Sequence, residues 1–275
     1  MSPKADGSAL TGVSETALLT LLVRATEARR PDSVIDDPMA IKLVDSIDFD
    51  FGKFGFTRRQ DMALRALTFD RYTRRYLVDH PSATVVALAE GLQTSFYRLD
   101  ASDLGDQFRW LTVDLPPIIE LRDRLLPHSD RVTMIAQSAL DYSWMDRVDP
   151  TDGVFITTEG LLMYLQPEEA LGLIAECAKR FPGGQMMFDL PPVFFASWIR
   201  RGSRVSLRYR VPPMPFALSP SEIANLVNTV PGIRAVHDLP MVPGRGKVIN
   251  GLMWTLQRVP LLDAVRPVYT LLEFG

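Results

Sequence analysis

The sequence predicts an α/β protein with a doubly wound, mostly parallel sheet of seven strands. Two observations support this prediction. Seven short runs of strand character alternate with helical segments beyond residue 80, an order typical of a parallel sheet with helices on both faces. Polar residues or glycines also follow the ends of successive runs, as they do where such sheets bind ligands.

The composition is that of a folded protein with no visible affinity for polyanions. The 275 residues are 47% hydrophobic and 23% charged, with a net charge of −3 and a pI near 5.7. These values predict that nucleic acid is not a partner. One cysteine and three scattered histidines predict no disulfide framework and no metal site. Without a signal peptide or an 18-residue apolar run, we expect a cytoplasmic protein with no membrane partner. The oligomeric state is left open.

The first 80 residues are predicted to be helical and to close over the ligand site as a lid. Residues 1–12 resemble a frayed terminus, and residues 14–29 carry apolar side chains at helical spacing with Ser14 as the N-cap. Asp36-Asp37-Pro38 predicts the start of a short helix, and residues 58–79 predict another. The predicted division is a helical lid over residues 1–80 and a sheet domain over residues 81–275.

The sheet domain contains the alternating elements. Its predicted strands are residues 84–89, 109–113, 131–137, 153–158, 185–189, 233–238 and 268–274. Its predicted helices lie near residues 93–99, 116–126, 167–181, 219–229 and 250–258. Residues 192–218 are rich in aromatic residues, arginine and proline and show no clear period. We expect this segment to be an insertion that covers the sheet.

The first predicted strand ends in a glycine turn of the kind that binds a nucleoside. The apolar run 83–89 breaks at Glu90-Gly91, and the next strand ends on Asp114. Twenty-four residues separate Glu90 from Asp114, close to the roughly 20 expected between such a turn and an acid that binds ribose hydroxyls. Only one glycine of the Gly-x-Gly-x-x-Gly pattern is present. A ligand with ribose but no pyrophosphate is therefore predicted.

Further candidates follow the later strands. The strand-end residues are Glu90, Gly91, Asp114, Ser138, Ala139, Glu159 and Gly160. Because parallel strands end at one edge of the sheet, we expect these residues to converge. Asp114 alone has a second interpretation, as the cap of a helix that begins at Pro116. Glu159 follows a buried run and requires a partner, and a cationic ligand would be a natural one.

Four motifs resemble those of the leucine carboxyl methyltransferase superfamily, and within it the tetracenomycin-type polyketide O-methyltransferases. They are the glycine motif at residues 89–99, Val-Asp-Leu-Pro at 113–116, Glu-Gly-x-x-x-Tyr-Leu at 159–165 and Asp-Pro-Met-Ala at 37–40. The resemblance covers about residues 14–191 and is looser beyond them. Three positions depart from it: Ala89 replaces the first glycine of the glycine motif, and Gln93 and Ser95 replace an Asp and an Arg.

The resemblance implies a class I, Rossmann-like methyltransferase fold in which Val268–Phe274 is an antiparallel last strand. It also implies S-adenosyl-L-methionine as the cofactor and S-adenosyl-L-homocysteine as the product. By resemblance, Arg65 holds the methionine carboxylate, for which a bidentate guanidinium is well suited. The remaining implied cofactor-binding residues are Glu90 and Gly91 near the methionine moiety, Asp114 and Leu115 at the ribose, Ser138 and Ala139 at the adenine, and Glu159 and Gly160 at the amino or sulfonium side.

The implied activity is O-methylation of a small, polyketide-like molecule at a carboxylate or an aromatic hydroxyl. A carboxylate acceptor needs no general base, whereas a hydroxyl would gain about 10²–10⁴-fold from one. The catalytic candidates are His237, near the carboxyl edge of the sheet, and Tyr164. Six aromatic residues are candidates for the lining of an acceptor pocket: Tyr164, Trp144, Phe194, Phe195, Trp198 and Tyr209. For Tyr164 and Trp144 a place in the core is the alternative, and it is the favoured one for Trp144. Two alternatives stay open: a methyltransferase of protein C-termini, and a catalytically silent cofactor-binding fold.

Overall fold

The computed structural model describes residues 3–200, 208–247, 250–251, 255 and 258–275. Its strands are β1 (Ala5–Asp6), β2 (Ile47–Asp48), β3 (Thr84–Leu88), β4 (Arg109–Asp114), β5 (Val132–Ala136), β6 (Val154–Thr158), β7 (Gln185–Leu190), β8 (Ile233–Asp238) and β9 (Val268–Phe274). Its α-helices are α1 (Thr16–Ala28), α2 (Pro38–Ser46), α3 (Asp61–Asp79), α4 (Ser95–Asp100), α5 (Pro116–Leu125), α6 (Pro167–Arg180), α7 (Val193–Arg200), α8 (Pro220–Ala224) and α9 (Leu226–Thr229). Short 3₁₀ helices cover Phe51–Phe54, Tyr142–Arg147, Leu162–Tyr164 and Pro260–Val265.

Seven of these strands form one sheet in the order β5-β4-β3-β6-β7-β9-β8. Neighbouring strands in this sheet run parallel, except that β9 is antiparallel to both β7 and β8. The predicted fold class and the antiparallel last strand are therefore confirmed. The strand order reverses between β3 and β6, where the chain crosses from one half of the sheet to the other, and ligands bind at such a point in doubly wound folds.

The central strands β3 and β6 are buried along nearly their whole length because both faces of the sheet are covered. Val86 of β3 and Ile156 of β6 pack into one hydrophobic cluster, whereas Val85 and Phe155 pack into a second cluster. Side chains alternate between the faces of a strand, so neighbouring residues enter different layers. The predicted bounds of the seven main strands agree with the observed ones to within one residue.

The N-terminal segment differs from the prediction in two places. Residues 3–12, the described part of the predicted frayed terminus, are ordered by contacts with the rest of the chain. Leu10 is buried, and β1 pairs with β2 in a small parallel sheet. Ser14 does not cap α1, which begins at Thr16 with Glu15 in the N-cap position. The segment is thus helical with one small sheet. Whether it moves as a lid, and whether the domains divide near residue 80, stay predictions.

The cover is more regular than predicted. Within residues 192–218, α7 occupies Val193–Arg200, and the described part from residue 208 onward has no helix or strand until α8. The helix predicted over 219–229 is broken at Asn225 into α8 and α9. The helix predicted near 250–258 falls largely outside the described residues. In the described ranges, no helix combines the length and the apolar character that crossing a membrane requires.

Candidate active site

A cavity of about 630 Å³ lies at the carboxyl edge of the sheet, where the strand order reverses. Its size is within the range of small-molecule sites. Every cofactor-binding residue predicted from the sequence lines it: Arg65, Glu90, Gly91, Asp114, Leu115, Ser138, Ala139, Glu159 and Gly160. The predicted convergence of the strand ends is thus observed, while the ligand contact of each residue stays a prediction.

The glycine turn after β3 is strained. Ala89 has φ of +50° and is the one non-glycine residue with positive φ among the residues described. A left-handed backbone costs an L-residue about 1–2 kcal/mol. The Ala89 amide donates a 2.7 Å hydrogen bond to the Val113 carbonyl of the neighbouring strand, which helps to hold this conformation. The turn therefore keeps a geometry suited to glycine although residue 89 carries a methyl group.

Gly91 and Asp114 fix the same turn to the end of β4. The Gly91 amide donates to Asp114 Oδ2 at 2.7 Å, and the Leu115 amide donates to Asp114 Oδ1 at 2.7 Å. Burial raises the pKa of Asp114, and these two amide bonds oppose the rise. Helix α5 has Leu115 at its N-cap and no side-chain cap, so the alternative in which Asp114 serves as that cap is wrong. Each carboxylate oxygen retains acceptor capacity for a ligand hydroxyl.

The Glu90 carboxylate forms an ion pair with an arginine and accepts hydrogen bonds from two other side chains. Glu90 Oε1 lies 2.8 Å from an Arg122 guanidinium nitrogen and accepts hydrogen bonds from the Trp110 indole, at 3.2 Å, and from the Thr112 hydroxyl. Burial raises the pKa of Glu90, and Arg122 opposes that rise. Arg122 also donates to the carbonyls of Gly91 and Gln93 at 2.8 and 2.9 Å. Glu90 and Arg122 together brace the turn.

Arg65 lies between two carboxylates. Its Nε donates to Glu159 Oε1 at 2.8 Å, and its Nη1 lies 3.6 Å from Asp189 Oδ2. Asp189 Oδ1 accepts the Gly160 amide at 2.7 Å, and Glu159 Oε1 also accepts the Gln93 side-chain amide at 2.6 Å. Burial alone would lower the pKa of Arg65, but the two acids raise it. The same burial raises the pKa of Asp189, although Arg65 opposes this.

Asp189 and Gln93 were not among the predicted site residues. Asp189 is the penultimate residue of β7 and lines the cavity. The rule that selected Asp114 and Glu159, an acid at the end of a parallel strand, would have selected Asp189 as well. Gln93 was noted only as a departure from the resembled motif, and its side-chain amide donates to Glu159 Oε1 at 2.6 Å.

A buried ionic network attaches the N-terminal helices to the glycine turn. Asp37 accepts the Ala40 amide at the start of α2, and its Oδ2 lies 2.7 Å from Arg24 and 2.8 Å from Arg98. Thr94 donates to the same carboxylate at 2.8 Å. Burial would raise the pKa of Asp37, but the two arginines hold it below its ordinary value. The Asp-Pro-Met-Ala motif is thus a docking element.

The docked helix α1 explains why residue 91 must be glycine. Gly91 has φ of +59°, and a Cβ placed on it would approach the Cβ of Ala17 in α1 to 2.8 Å. A side chain at this position would both strain the backbone and push α1 away from the turn. Arg24 of α1 reinforces the contact by donating to the Leu92 carbonyl at 2.7 Å.

His237 is not in the cavity, and its predicted catalytic role is not supported. It lies in the edge strand β8, where its Nε2 is 2.9 Å from Glu273 Oε1 and its side chain is 46% exposed. The reversal point lies on the other side of β7 and β9. Tyr164 does line the cavity. Burial raises its pKa, so its hydroxyl is neutral near pH 7 and is not suited to act as a base.

Another part of the cavity lining is apolar and comes from residues that end or follow β7 or belong to the cover. It includes Leu190, Pro191, Pro192, Phe195, Val211 and Met214. Of the aromatic residues expected here, Phe195 and Tyr164 line the cavity, Trp144 is wholly buried in the core, and Phe194 is 66% exposed. In the part of the chain that the structure describes, no cluster of three or more His, Cys, Asp or Glu side chains is arranged to hold a metal ion.

Comparisons with known proteins agree on one family. The leucine carboxyl methyltransferase family matches residues 17–178. The chain is 33% identical over 264 residues to the tetracenomycin polyketide synthesis O-methyltransferase TcmP of Streptomyces glaucescens, covering 94% of this chain and 88% of that one. It is 28% identical over 202 residues to the S-adenosyl-L-methionine-dependent methyltransferase dpfgK of Gibberella zeae, covering 66% and 67% of the two chains.

A solved structure shares the fold. The DUF574-family protein of Streptomyces avermitilis MA-4680 superimposes with a TM-score of 0.59 at 13% identity, over 93% of this chain and 97% of that chain. The likeness extends over the N-terminal helices as well as the sheet, since it covers nearly the whole chain. The resemblance and the fold inferred from the motifs are both confirmed.

Proposed function

This chain belongs to the leucine carboxyl methyltransferase family, and we propose that its acceptor is a small, polyketide-like molecule carrying a carboxylate or an aromatic hydroxyl. The chain is an S-adenosyl-L-methionine-dependent O-methyltransferase, like the relatives that it matches. The observation that carries the acceptor proposal is that the cavity lining combines two sets of residues. We call the charged residues at the strand ends the charged end, and the apolar residues that end or follow β7 or belong to the cover the apolar end. The relative in tetracenomycin polyketide synthesis supports the same acceptor class.

The residues present fit the cofactor. The cavity volume suits a ligand of this size, and the charged end holds more buried carboxylates than guanidinium groups, which favours a cation. In this proposal Asp114 binds the ribose hydroxyls, Arg65 the methionine carboxylate, and Glu159 with Gly160 the amino end. Gly91 and Leu115 contribute backbone, and Ser138 with Ala139 borders the adenine. When bound, the cofactor supplies a methyl group activated by its sulfonium.

The chain's own residues then position the acceptor and exclude water. The apolar side chains of Phe195, Val211 and Met214 hold an acceptor body, while α1 closes the cavity above the glycine turn. Alignment of this kind contributes on the order of 7–11 kcal/mol to such a reaction. The protein-terminus acceptor and the silent fold stay as alternatives, and neither is favoured by a feature of the cavity.

The proposal is tested by incubating the purified protein with methyl-labelled cofactor and a panel of acceptors. The panel contains aromatic polyketide acids, phenols and a peptide ending in a free carboxylate. We expect methylation of an acid or a phenol, with one equivalent of S-adenosyl-L-homocysteine per transfer, detected by mass spectrometry. The variant Arg65→Lys, which keeps the charge but loses the planar fork, should weaken cofactor binding. Methylation of the peptide alone, or cofactor binding with no transfer to any acceptor, would contradict the proposal.

A further inference from the structure

The three charges at the centre of the cavity do not balance. Glu159 and Asp189 both face Arg65, at 2.8 and 3.6 Å. The exposed fractions of the three side chains are 12% for Arg65, 6% for Glu159 and 9% for Asp189. Two carboxylates against one guanidinium leave this trio with a charge of −1 when all three are ionised. An uncompensated buried charge is costly, so the trio is suited to a cationic ligand.

Other acids that line the cavity have local partners. Asp61 lies 3.2 Å from Arg59 and Glu90 lies 2.8 Å from Arg122. Asp114 accepts two backbone amides. Asp61 and Glu90 therefore each face an arginine and Asp114 faces backbone amides, whereas Glu159 and Asp189 share the one guanidinium of Arg65. Within the trio Asp189 is the acid held more loosely by Arg65, because 3.6 Å exceeds a hydrogen-bond distance.

Asp189 contacts one residue of the charged end and is followed in the chain by residues of the apolar end. Its Oδ1 accepts the Gly160 amide on the charged side, and the residues that follow it, Leu190 to Pro192, line the apolar side. In the register of the sheet it pairs with Tyr269 of β9, which also lines the cavity. A methyl group passing from cofactor to acceptor moves within the cavity that Asp189 lines.

Resting on the proposed function, we infer that Asp189 supplies the charge by which the site distinguishes the sulfonium cofactor from its thioether product. A sulfonium carries a permanent positive charge and has no N–H or O–H to donate, so a protein recognises it through an opposing charge. The thioether left after transfer is neutral and gains nothing from that charge. Asp189 thus favours binding of the substrate form and release of the product form.

The test is isothermal titration of the whole protein with three ligands. They are S-adenosyl-L-methionine, S-adenosyl-L-homocysteine, and sinefungin, which has an ammonium group at the sulfonium position. Asp189→Asn removes the charge and keeps an oxygen that can accept the Gly160 amide. We expect this variant to bind the two cationic ligands about tenfold more weakly, as loss of one charge pair predicts, and the thioether with an affinity within about twofold of wild type.

Two further variants make the result specific. Asp61→Asn removes another acid that lines the cavity but pairs with Arg59, and it should leave the relative affinities of the three ligands unchanged. Asp189→Glu keeps the charge and should largely restore the preference for the cations. If Asp189→Asn does not fold, Asp189→Ser removes the charge while keeping an acceptor and gives the same readout.

An equal loss of affinity for all three ligands would overturn the inference, because it would show that Asp189 only supports Arg65 and Gly160. An unchanged preference for the cations in Asp189→Asn would overturn it as well. If the wild-type protein bound none of the three ligands, the proposed function would fail first, and the inference with it.

Discussion

The two ends of the cavity are built by different means. The charged end is made of strand ends that are fixed by backbone hydrogen bonds and buried ion pairs, such as Gly91 to Asp114 at 2.7 Å and Arg65 to Glu159 at 2.8 Å. The apolar end is made of side chains such as Phe195 and Met214, which α7 and the irregular cover bring to the sheet. The first end is held by directional bonds and the second by packing.

The difference indicates that the two ends bind different ligands. Directional bonds fix atoms to within fractions of an ångström, which suits a ligand that never changes. Apolar packing tolerates changes of shape and volume, which suits a site that accommodates acceptors of different shape. Substitutions at the charged end should therefore affect folding and cofactor binding, and substitutions at the apolar end should affect acceptor binding alone.

The largest expected effect is on stability, from Asp37→Asn. This change leaves Arg24 and Arg98 buried without their shared carboxylate, and breaking a buried pair in this way costs about 3–5 kcal/mol. Urea unfolding measures the loss. The matched control is Asp45→Asn in α2, the helix that Asp37 caps, since Asp45 pairs with Arg29 at the surface and should contribute no more than about 1 kcal/mol. Equal effects of the two variants would contradict a docking role for the network.

The lowered pKa of Asp37 predicts how the difference in stability between wild type and Asp37→Asn depends on pH. The pKa of Asp37 is lower in the folded chain than its ordinary value, because Arg24 and Arg98 outweigh burial. A lowered pKa stabilises the fold above the unfolded value of about 4, and the contribution is lost as pH falls through the folded value. The gap in stability between wild type and Asp37→Asn should therefore be constant near neutrality and shrink only below about pH 4.

The next effect is on cofactor affinity, from Asp114→Ala. The variant loses the proposed contacts to the ribose and also frees the Gly91 amide. Hydrogen bonds to a charged group contribute about 1.5–3 kcal/mol, so binding of S-adenosyl-L-methionine should weaken about 10- to 100-fold by titration calorimetry. Asp106→Ala, at an exposed position before β4, should have no effect. Unchanged affinity in Asp114→Ala would mean that the ribose binds elsewhere.

At the apolar end, Phe195→Ala should raise the KM of the acceptor about tenfold, since apolar contacts of this size are worth about 1–3 kcal/mol. The affinity for the cofactor should not change. Phe194→Ala is the matched control, because Phe194 is the adjacent residue of α7 and is 66% exposed. A loss of cofactor affinity in Phe195→Ala would break the proposed division between the two ends.

The smallest effect is a gain, from Ala89→Gly. Because Ala89 has φ of +50°, glycine should relieve about 1 kcal/mol of strain and raise Tm by about 2–4 °C. Ala87→Gly, in the buried strand β3, should destabilise the chain instead. A lower Tm in Ala89→Gly would show that the turn does not store strain.

The charged end could be read from the sequence because strand topology determines it. Once β3, β4 and β6 are recognised as parallel strands, the residues after them, such as Asp114 and Glu159, must meet at one edge. Asp189 obeys the same rule, since it lies at the end of the parallel strand β7. Ala89 replaces a glycine of the resembled motif, and its positive φ is a conformation that glycine adopts readily.

The residues of the apolar end could not be predicted from the sequence in the same way. Which cover residues reach the cavity depends on tertiary packing, so Phe195 lines it while its neighbour Phe194 faces solvent. His237 was selected because it lies near the carboxyl edge of the sheet at the end of a predicted strand, but that strand is the outermost one, away from the reversal point. The sequence did not specify the place of β8 in the strand order, and that place keeps His237 out of the cavity lining.

The measurement that tests the central claim most directly is titration calorimetry of the wild-type chain with S-adenosyl-L-methionine, S-adenosyl-L-homocysteine and NADH. The turn at Ala89-Glu90-Gly91 lacks the glycines that cradle a dinucleotide pyrophosphate, and a cavity with excess buried carboxylate favours a sulfonium. We predict that both sulfur ligands bind and that NADH does not. Binding of NADH with neither sulfur ligand would contradict the account.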